Sequence, residues 1–138
     1  MFVLDASMSL VWGFEDETDS LARAILRRLR ESEAVVPPIW PLEVANALLI
    51  GELRQRVSRA EVSRFLDVLA GLPISIDPVD GLHLAFGSVS ALAREQGLSA
   101  YDACYLELAL RRGLPLATLD SRLQTAATRL AVPLVGPG

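Results

Sequence analysis

Lysine is absent from this chain, and all 13 of its basic residues are arginine. That absence closes off chemistry that needs an amine: Schiff bases, a lysine general base, phosphate capture by a P-loop lysine. Cysteine and histidine are almost absent, with one of each. A lone cysteine makes no internal disulfide, which fits a reducing compartment. The one histidine, His83, has no serine or cysteine nucleophile motif beside it, so it reads as a helix-surface residue. Cys104 reads as a small buried hydrophobe. Long apolar runs are missing too. Arg, Glu, Asp, Asn or Pro interrupts every run short of the ~18–20 residues of a membrane span. Met1 to Leu4 leads straight into Asp5, without the charged-then-apolar pattern of a secretory leader. A cytoplasmic location without a membrane partner is therefore expected.

What is present is apolar. The chain has 138 residues, 51% of them hydrophobic, too many for disorder. One domain over residues 1–138 is expected, large enough to bury roughly two-thirds of its unfolded surface without a staple. The net charge is −4, with 17 acids. A protein that grips nucleic acid through its phosphates usually reads basic, so a nucleic-acid partner requires an account of the acids.

Short apolar runs at 2–4, 34–36, 73–76, 114–119 and 132–135 read as strands, buried on both faces where the run is continuous. The last carries Pro133 and reads as an edge. Helical patterns lie between them. Leu21, Ile25 and Leu29 share a face. Pro41 sits in the first turn of a helix running to Arg54. Ser58 and Glu61 have capping-box spacing. Asp80 opens a helix that Gly97 ends, Ser99 opens one that Gly113 ends, and Asp120 or Ser121 opens the last. Strands alternating with helices predict a parallel sheet covered on both faces, a three-layer α/β/α domain.

In open parallel sheets, sites form beyond the carboxyl ends of the strands. Four acids fall at such places. Asp5 follows the first strand, Glu43 opens the helix after the second, Asp102 lies in the first turn after Ser99, and Asp120 follows the fourth strand. Each has a plain structural account as a first-turn or capping acid, and Asp102 fits it best. The surroundings say more. Asp5 ends an apolar strand, and Thr118 and Asp120, two apart, share a side. Glu43 and Asn46 share a helical face. Four converging carboxylates repel and need a cation. Oxygen-only ligands favour Mg²⁺ or Mn²⁺, which suits phosphodiester cleavage.

The succession Val3-Leu4-Asp5-Ala6-Ser7, Glu43-Val44-Ala45-Asn46, Tyr101-Asp102-Ala103-Cys104-Tyr105-Leu106 and Leu116-Ala117-Thr118-Leu119-Asp120 resembles a PIN domain. In particular it is similar to the short bacterial VapC-type toxin ribonucleases. The resemblance implies five parallel strands in the order 3-2-1-4-5, with Asp5 and Asp120 side by side. It implies that Asp5, Glu43, Asp102 and Asp120 hold Mg²⁺ or Mn²⁺, supported by Thr118, Ser7 and Asn46. It implies an endoribonuclease using metal-activated water, and a homodimer bound by a small VapB-like antitoxin in a heterotetramer or larger assembly. All four acids are in place.

Arginines 23, 27, 28 and 30 form a basic helical face. Arg23 and Arg27 are candidates for RNA or antitoxin contact, as is Arg122 beside Asp120. Arg111 and Arg112 suit a helix C-terminus. Trp12, Phe14 and Trp40 read as core, with base stacking a second use for the first two. The helices over 44–53 and 62–72 are apolar enough for a partner interface. Three other readings are a PIN-like RNA-processing nuclease that is no toxin, a non-catalytic binding module, and an aspartyl phosphatase or receiver-like domain. A binding module typically loses acids, and none is lost. The phosphatase and receiver readings want a lysine, which is missing, and the phosphatase a second aspartate where Ser7 stands. With the four acids set aside, the remaining 13 match the 13 arginines.

Overall fold

The computed structural model describes residues 1–14, 19–79 and 81–136. Its axis is β1 (Phe2–Leu4), at most 1% exposed at every residue. Successive strand side chains point to opposite faces, so helices must cover both sides of it. β1 pairs in parallel with β2 (Ala34–Val36) on one side and β4 (Leu116–Ala117) on the other. β3 (Ile74–Ile76) pairs with the outer side of β2, giving the order β3-β2-β1-β4.

The expected fifth strand is a correction. Residues 132–135 contribute one parallel bridge, Leu134 to Leu116, on the outer side of β4. Leu116 N–H donates to the Pro133 carbonyl, and Val135 N–H donates to that of Leu116, both at 2.9 Å. Pro133 has no N–H to offer, and β4 has only two residues to pair with, so the ladder stops. The fifth position therefore exists as a bridge and not as a strand.

The helices are α1 (Ala6–Val11), α2 (Ser20–Arg28), α3 (Trp40–Leu53), α4 (Arg59–Ala70), α5 (Gly81–Leu84), α6 (Ser90–Gln96), α7 (Ala100–Arg112) and α8 (Ser121–Arg129). Their ends follow the expected chemistry. Ser58 and Glu61 form a full capping box, and the Ser99 hydroxyl accepts the Asp102 N–H at 3.0 Å. Gly97 and Gly113 close α6 and α7 at φ +65° and +63°, where a Cβ would strain the backbone. The expected cap at Asp80 lies outside the described residues. The single helix expected there is interrupted by a π-helical turn, Ala85–Val89. The Ser90 hydroxyl donates to the Ala85 carbonyl, supplying a side-chain partner inside that wider turn.

α7 runs against the sheet with Ala103, Tyr105, Leu106, Leu108 and Ala109 buried. Trp40 is core and donates from Nε1 to Ser9 Oγ at 3.2 Å. Trp12 is half-buried and donates from Nε1 to the Ala22 carbonyl at 2.8 Å. Phe14 is buried under the Arg56 guanidinium, 4.5 Å from its ring centre. These two aromatics are thus committed to packing rather than to a stacked base. Arg111 does more than meet a helix dipole. It reaches buried Asp77 at 2.6 Å and Glu107 at 2.8 Å, tying the end of β3 to α7. His83 is exposed on α5, and Cys104 is half-buried. Leu42, Leu49, Ile50 and Leu53 on α3 are exposed, as are Leu66 and Val68 on α4. Among the described residues, no helix is long and apolar enough to cross a membrane.

Gly13 marks a tight approach of the turn after α1 to α4. A Cβ there would stand 2.7 Å from Cε2 of buried Phe65. Gly13→Ala is therefore expected to destabilise the fold by about 1–3 kcal/mol, the usual cost of overpacking. Chemical denaturation checks this, and an unchanged midpoint contradicts it.

Candidate active site

Asp5 stands where β1 ends and α1 begins, in extended conformation at the N-cap position. Asp19 and Asp120 occupy the same position on α2 and α8 and accept helix N–H groups through their side chains. Asp5 does not cap α1. Its Oδ2 instead accepts the Thr118 hydroxyl at 2.6 Å and the Ser7 hydroxyl at 2.7 Å. Each hydroxyl is oriented by a backbone donor of the β4–α8 turn. Asp120 N–H donates to Thr118 Oγ1 at 3.0 Å, and Leu119 N–H to Ser7 Oγ at 3.2 Å. The hydroxyl protons are thereby aimed at Asp5, and its other oxygen is left for another partner. Gln124 Nε2 donates to the Thr118 carbonyl at 2.9 Å and steadies the same turn.

Three further acids surround this point. Glu43 lies half-buried in the first turn of α3, its Oε1 accepting the Tyr105 hydroxyl at 2.5 Å. Asp102 lies in the first turn of α7. Asp120 caps α8, with one oxygen taking the N–H groups of Arg122 and Leu123 at 2.9 and 3.0 Å. The structural account of Asp120 therefore holds, and it leaves the second oxygen uncommitted.

The acids sense one another. Burial pushes the Asp5 carboxyl above its ordinary value. The two hydroxyls pull against this, and the charges of Asp102 and Asp120 add to it. Burial also raises Glu43, against the Tyr105 hydrogen bond and with help from Asp5 and Asp102. Asp102 is raised by burial and then by Asp120, with Ser99 and the Arg122 charge opposing. The topology has thus brought all four into one electrostatic neighbourhood, with Arg122 at its rim. The other expected residues stand apart. Asn46 is exposed on α3, and Arg23 and Arg27 are exposed on α2, with no contact among the described residues tying them to the acids.

In this conformation no three ligating side chains among the described residues are drawn together into a ready cage. The donor chemistry fits a hard divalent cation: carboxylate oxygens with free lone pairs, raised in energy by burial and by each other. An apolar cavity of about 320 Å³ opens against the face of α7 carrying Cys104 and Leu108. None of the four acids lines it.

Tyr105 is the polar neighbour that sequence reasoning passed over. It follows Asp102 by three positions and so shares its helical face, which is the signal that would have found it.

A family model described as PIN domain matches residues 2–128. The chain resembles two solved structures. For PAE2754 from Pyrobaculum aerophilum, the TM-score is 0.69 at 24% identity over 91% of this chain and 84% of that one. For FitAcB from Neisseria gonorrhoeae, the TM-score is 0.59 at 18% identity over 99% of this chain and 98% of that one. At these identities the likeness speaks for the fold alone. No curated protein matches the chain in sequence.

Asp5, Glu43 and Asp102 all have raised values, which sets the sign of the pH dependence. An acid raised by folding holds its proton more tightly folded than unfolded. Its contribution is full below the unfolded value and is lost as pH rises through the folded one. Without divalent cation, stability is therefore expected to fall as pH climbs above the ordinary carboxylate values of 3.8 and 4.5. Asp5→Asn removes one such charge and keeps an acceptor for both hydroxyls. In EDTA it is expected to melt above wild type at pH 7, with the gap closing toward pH 4. Thermal denaturation across that range checks this, and a variant melting lower at pH 7 contradicts it.

Proposed function

The chain belongs to the PIN-domain family, whose members are generally metal-dependent nucleases, and on that premise we propose that it is an endoribonuclease dependent on Mg²⁺ or Mn²⁺. The observation that carries this reading is the gathering of Asp5, Glu43, Asp102 and Asp120 around the ends of β1 and β4, with burial and mutual charge raising three of them. In this reading residues 1–138 form one nuclease domain.

The four carboxylates would hold the cation. When bound, it neutralises charge on the phosphoryl group and activates water for attack on phosphorus. The chain's own residues set the stage for that. Ser7 and Thr118 fix Asp5 from one side, so the carboxylate cannot rotate away from the cleft. Asp120 holds the N-terminus of α8 and offers its second oxygen. Arg122, close enough to Asp102 to lower its proton affinity, would meet a substrate phosphate in this reading. Asn46 would join the polar rim from α3. Arg23 and Arg27, exposed on α2, are free to contact RNA backbone or acidic groups of a partner.

The resemblance to VapC-type toxins carries the biological setting. The protein would be the toxin of a toxin–antitoxin pair, a cytoplasmic homodimer held inactive by a small VapB-like antitoxin. The exposed leucines of α3 and α4 are in keeping with such partners.

The test is cleavage of labelled RNA and of single-stranded DNA of the same sequence, in Mg²⁺, in Mn²⁺ and in EDTA. Cleavage of RNA only with the cation is expected. Asp5→Asn and Asp120→Asn are each expected to lower the rate by about 100-fold or more, the scale of removing one preorganised electrostatic contact. Cleavage that persists in EDTA, or variants as active as wild type, would sink the mechanism. Cleavage of DNA in preference to RNA would overturn the substrate class.

A further inference from the structure

We infer that Tyr105 is a positioning residue of this site, its phenol holding the Glu43 carboxylate in the orientation that turns its second oxygen toward the cation. The inference rests on the reading of the four acids as cation ligands. Tyr105 is 0% exposed and lies on α7 three positions after Asp102. Its hydroxyl donates to Glu43 Oε1 at 2.5 Å, joining α7 to α3 across 62 positions of sequence.

One phenol thus links α7, which carries Asp102, to α3, which carries Glu43. Its donor is used and its ring is buried in the core, which holds its orientation. Glu43 starts a helix from a longer, more flexible side chain than the aspartates. It is the ligand that needs an external hold. Asp5 has Ser7 and Thr118 for that purpose, Asp120 has two helix N–H groups, and Glu43 has Tyr105. A phenol present only to satisfy a buried hydroxyl would affect stability and leave cation affinity alone.

The experiment is calorimetric titration of the 138-residue chain with Mn²⁺. Tyr105→Phe keeps the ring and removes the hydroxyl. It is expected to weaken Mn²⁺ binding about 10–100-fold, as loss of an outer partner of a metal ligand does, while the circular dichroism spectrum stays that of wild type. Glu43→Gln weakens binding on its own, and adding Tyr105→Phe to it is expected to cost nothing further. Wild-type affinity in Tyr105→Phe, with Glu43→Gln impaired, overturns the role of Tyr105 and leaves the acidic site standing. Wild-type affinity in Glu43→Gln and Asp5→Asn overturns the site and the inference with it. Should Tyr105→Phe fail to fold, the chain labelled with 3-fluorotyrosine reads the same contact by ¹⁹F NMR, with exposed Tyr101 as reference. The Tyr105 resonance is expected to move with Glu43→Gln and with Mg²⁺, and a signal indifferent to both overturns the inference.

Discussion

Asp5 is a carboxylate almost wholly withdrawn from water, 4% exposed, whose described partners are two hydroxyls rather than a positive charge. A buried carboxylate costs stability unless it is paired or coordinated. This fold adds to the cost, because parallel pairing of β1 with β4 and the starts of α3 and α7 bring Glu43, Asp102 and Asp120 into its field. Much of the local architecture answers that one problem. The β4–α8 turn aims two hydroxyl protons at Asp5, α8 takes one oxygen of Asp120, and Tyr105 takes one oxygen of Glu43. Asp5, Glu43 and Asp120 are each steadied through one carboxylate oxygen, with the other left open. A divalent cation held by these carboxylates would turn this arrangement from a cost into a gain.

The strands were legible in the sequence because burial on both faces leaves no room for polar residues. Phe2-Val3-Leu4 and Ala34-Val35-Val36 are bounded by polar residues or proline at the points where the strands end. The caps were legible for a similar reason. Ser58, Ser99, Gly97 and Gly113 carry local chemistry that needs no tertiary context. The misses lie where a neighbour decides. The run at 132–135 looks like a strand, but a ladder needs length in its partner, and β4 has two residues. The π-helical turn at Ala85–Val89 depends on a side chain reaching back inside the helix, a choice that hydrophobic pattern does not record.

The site divides along the same line. The positions of the four acids could be read because each follows a strand end or opens a helix, and the structure brings them into one electrostatic neighbourhood. Thr118 was readable from its spacing to Asp120 and Ser7 only from the resemblance, and the structure shows both hydroxyls accepting N–H groups of the turn while donating to Asp5. Asn46 was placed by its spacing from Glu43 and by the resemblance, and lies exposed. The place of Tyr105 beside Asp102 could be read from spacing, but two contacts between elements had no local signature. Asp77 and Arg111 meet only because β3 ends beside α7, and Tyr105 meets Glu43 only because α3 and α7 start near the same point. Contacts between distant elements are the part of a site that a single sequence hides most completely.

The net charge of −4 also takes on a place. With the four acids neutralised by cation, the rest of the chain is balanced, so a phosphate chain would approach a neutral surface with a cationic centre. The central claim is that these four carboxylates share one cation site. Anomalous diffraction at the manganese edge, from crystals grown with Mn²⁺, tests it most directly. The account predicts one peak, or a close pair, bounded by the carboxylates of Asp5, Glu43, Asp102 and Asp120. Manganese bound only elsewhere, or no peak at saturating Mn²⁺, would contradict it.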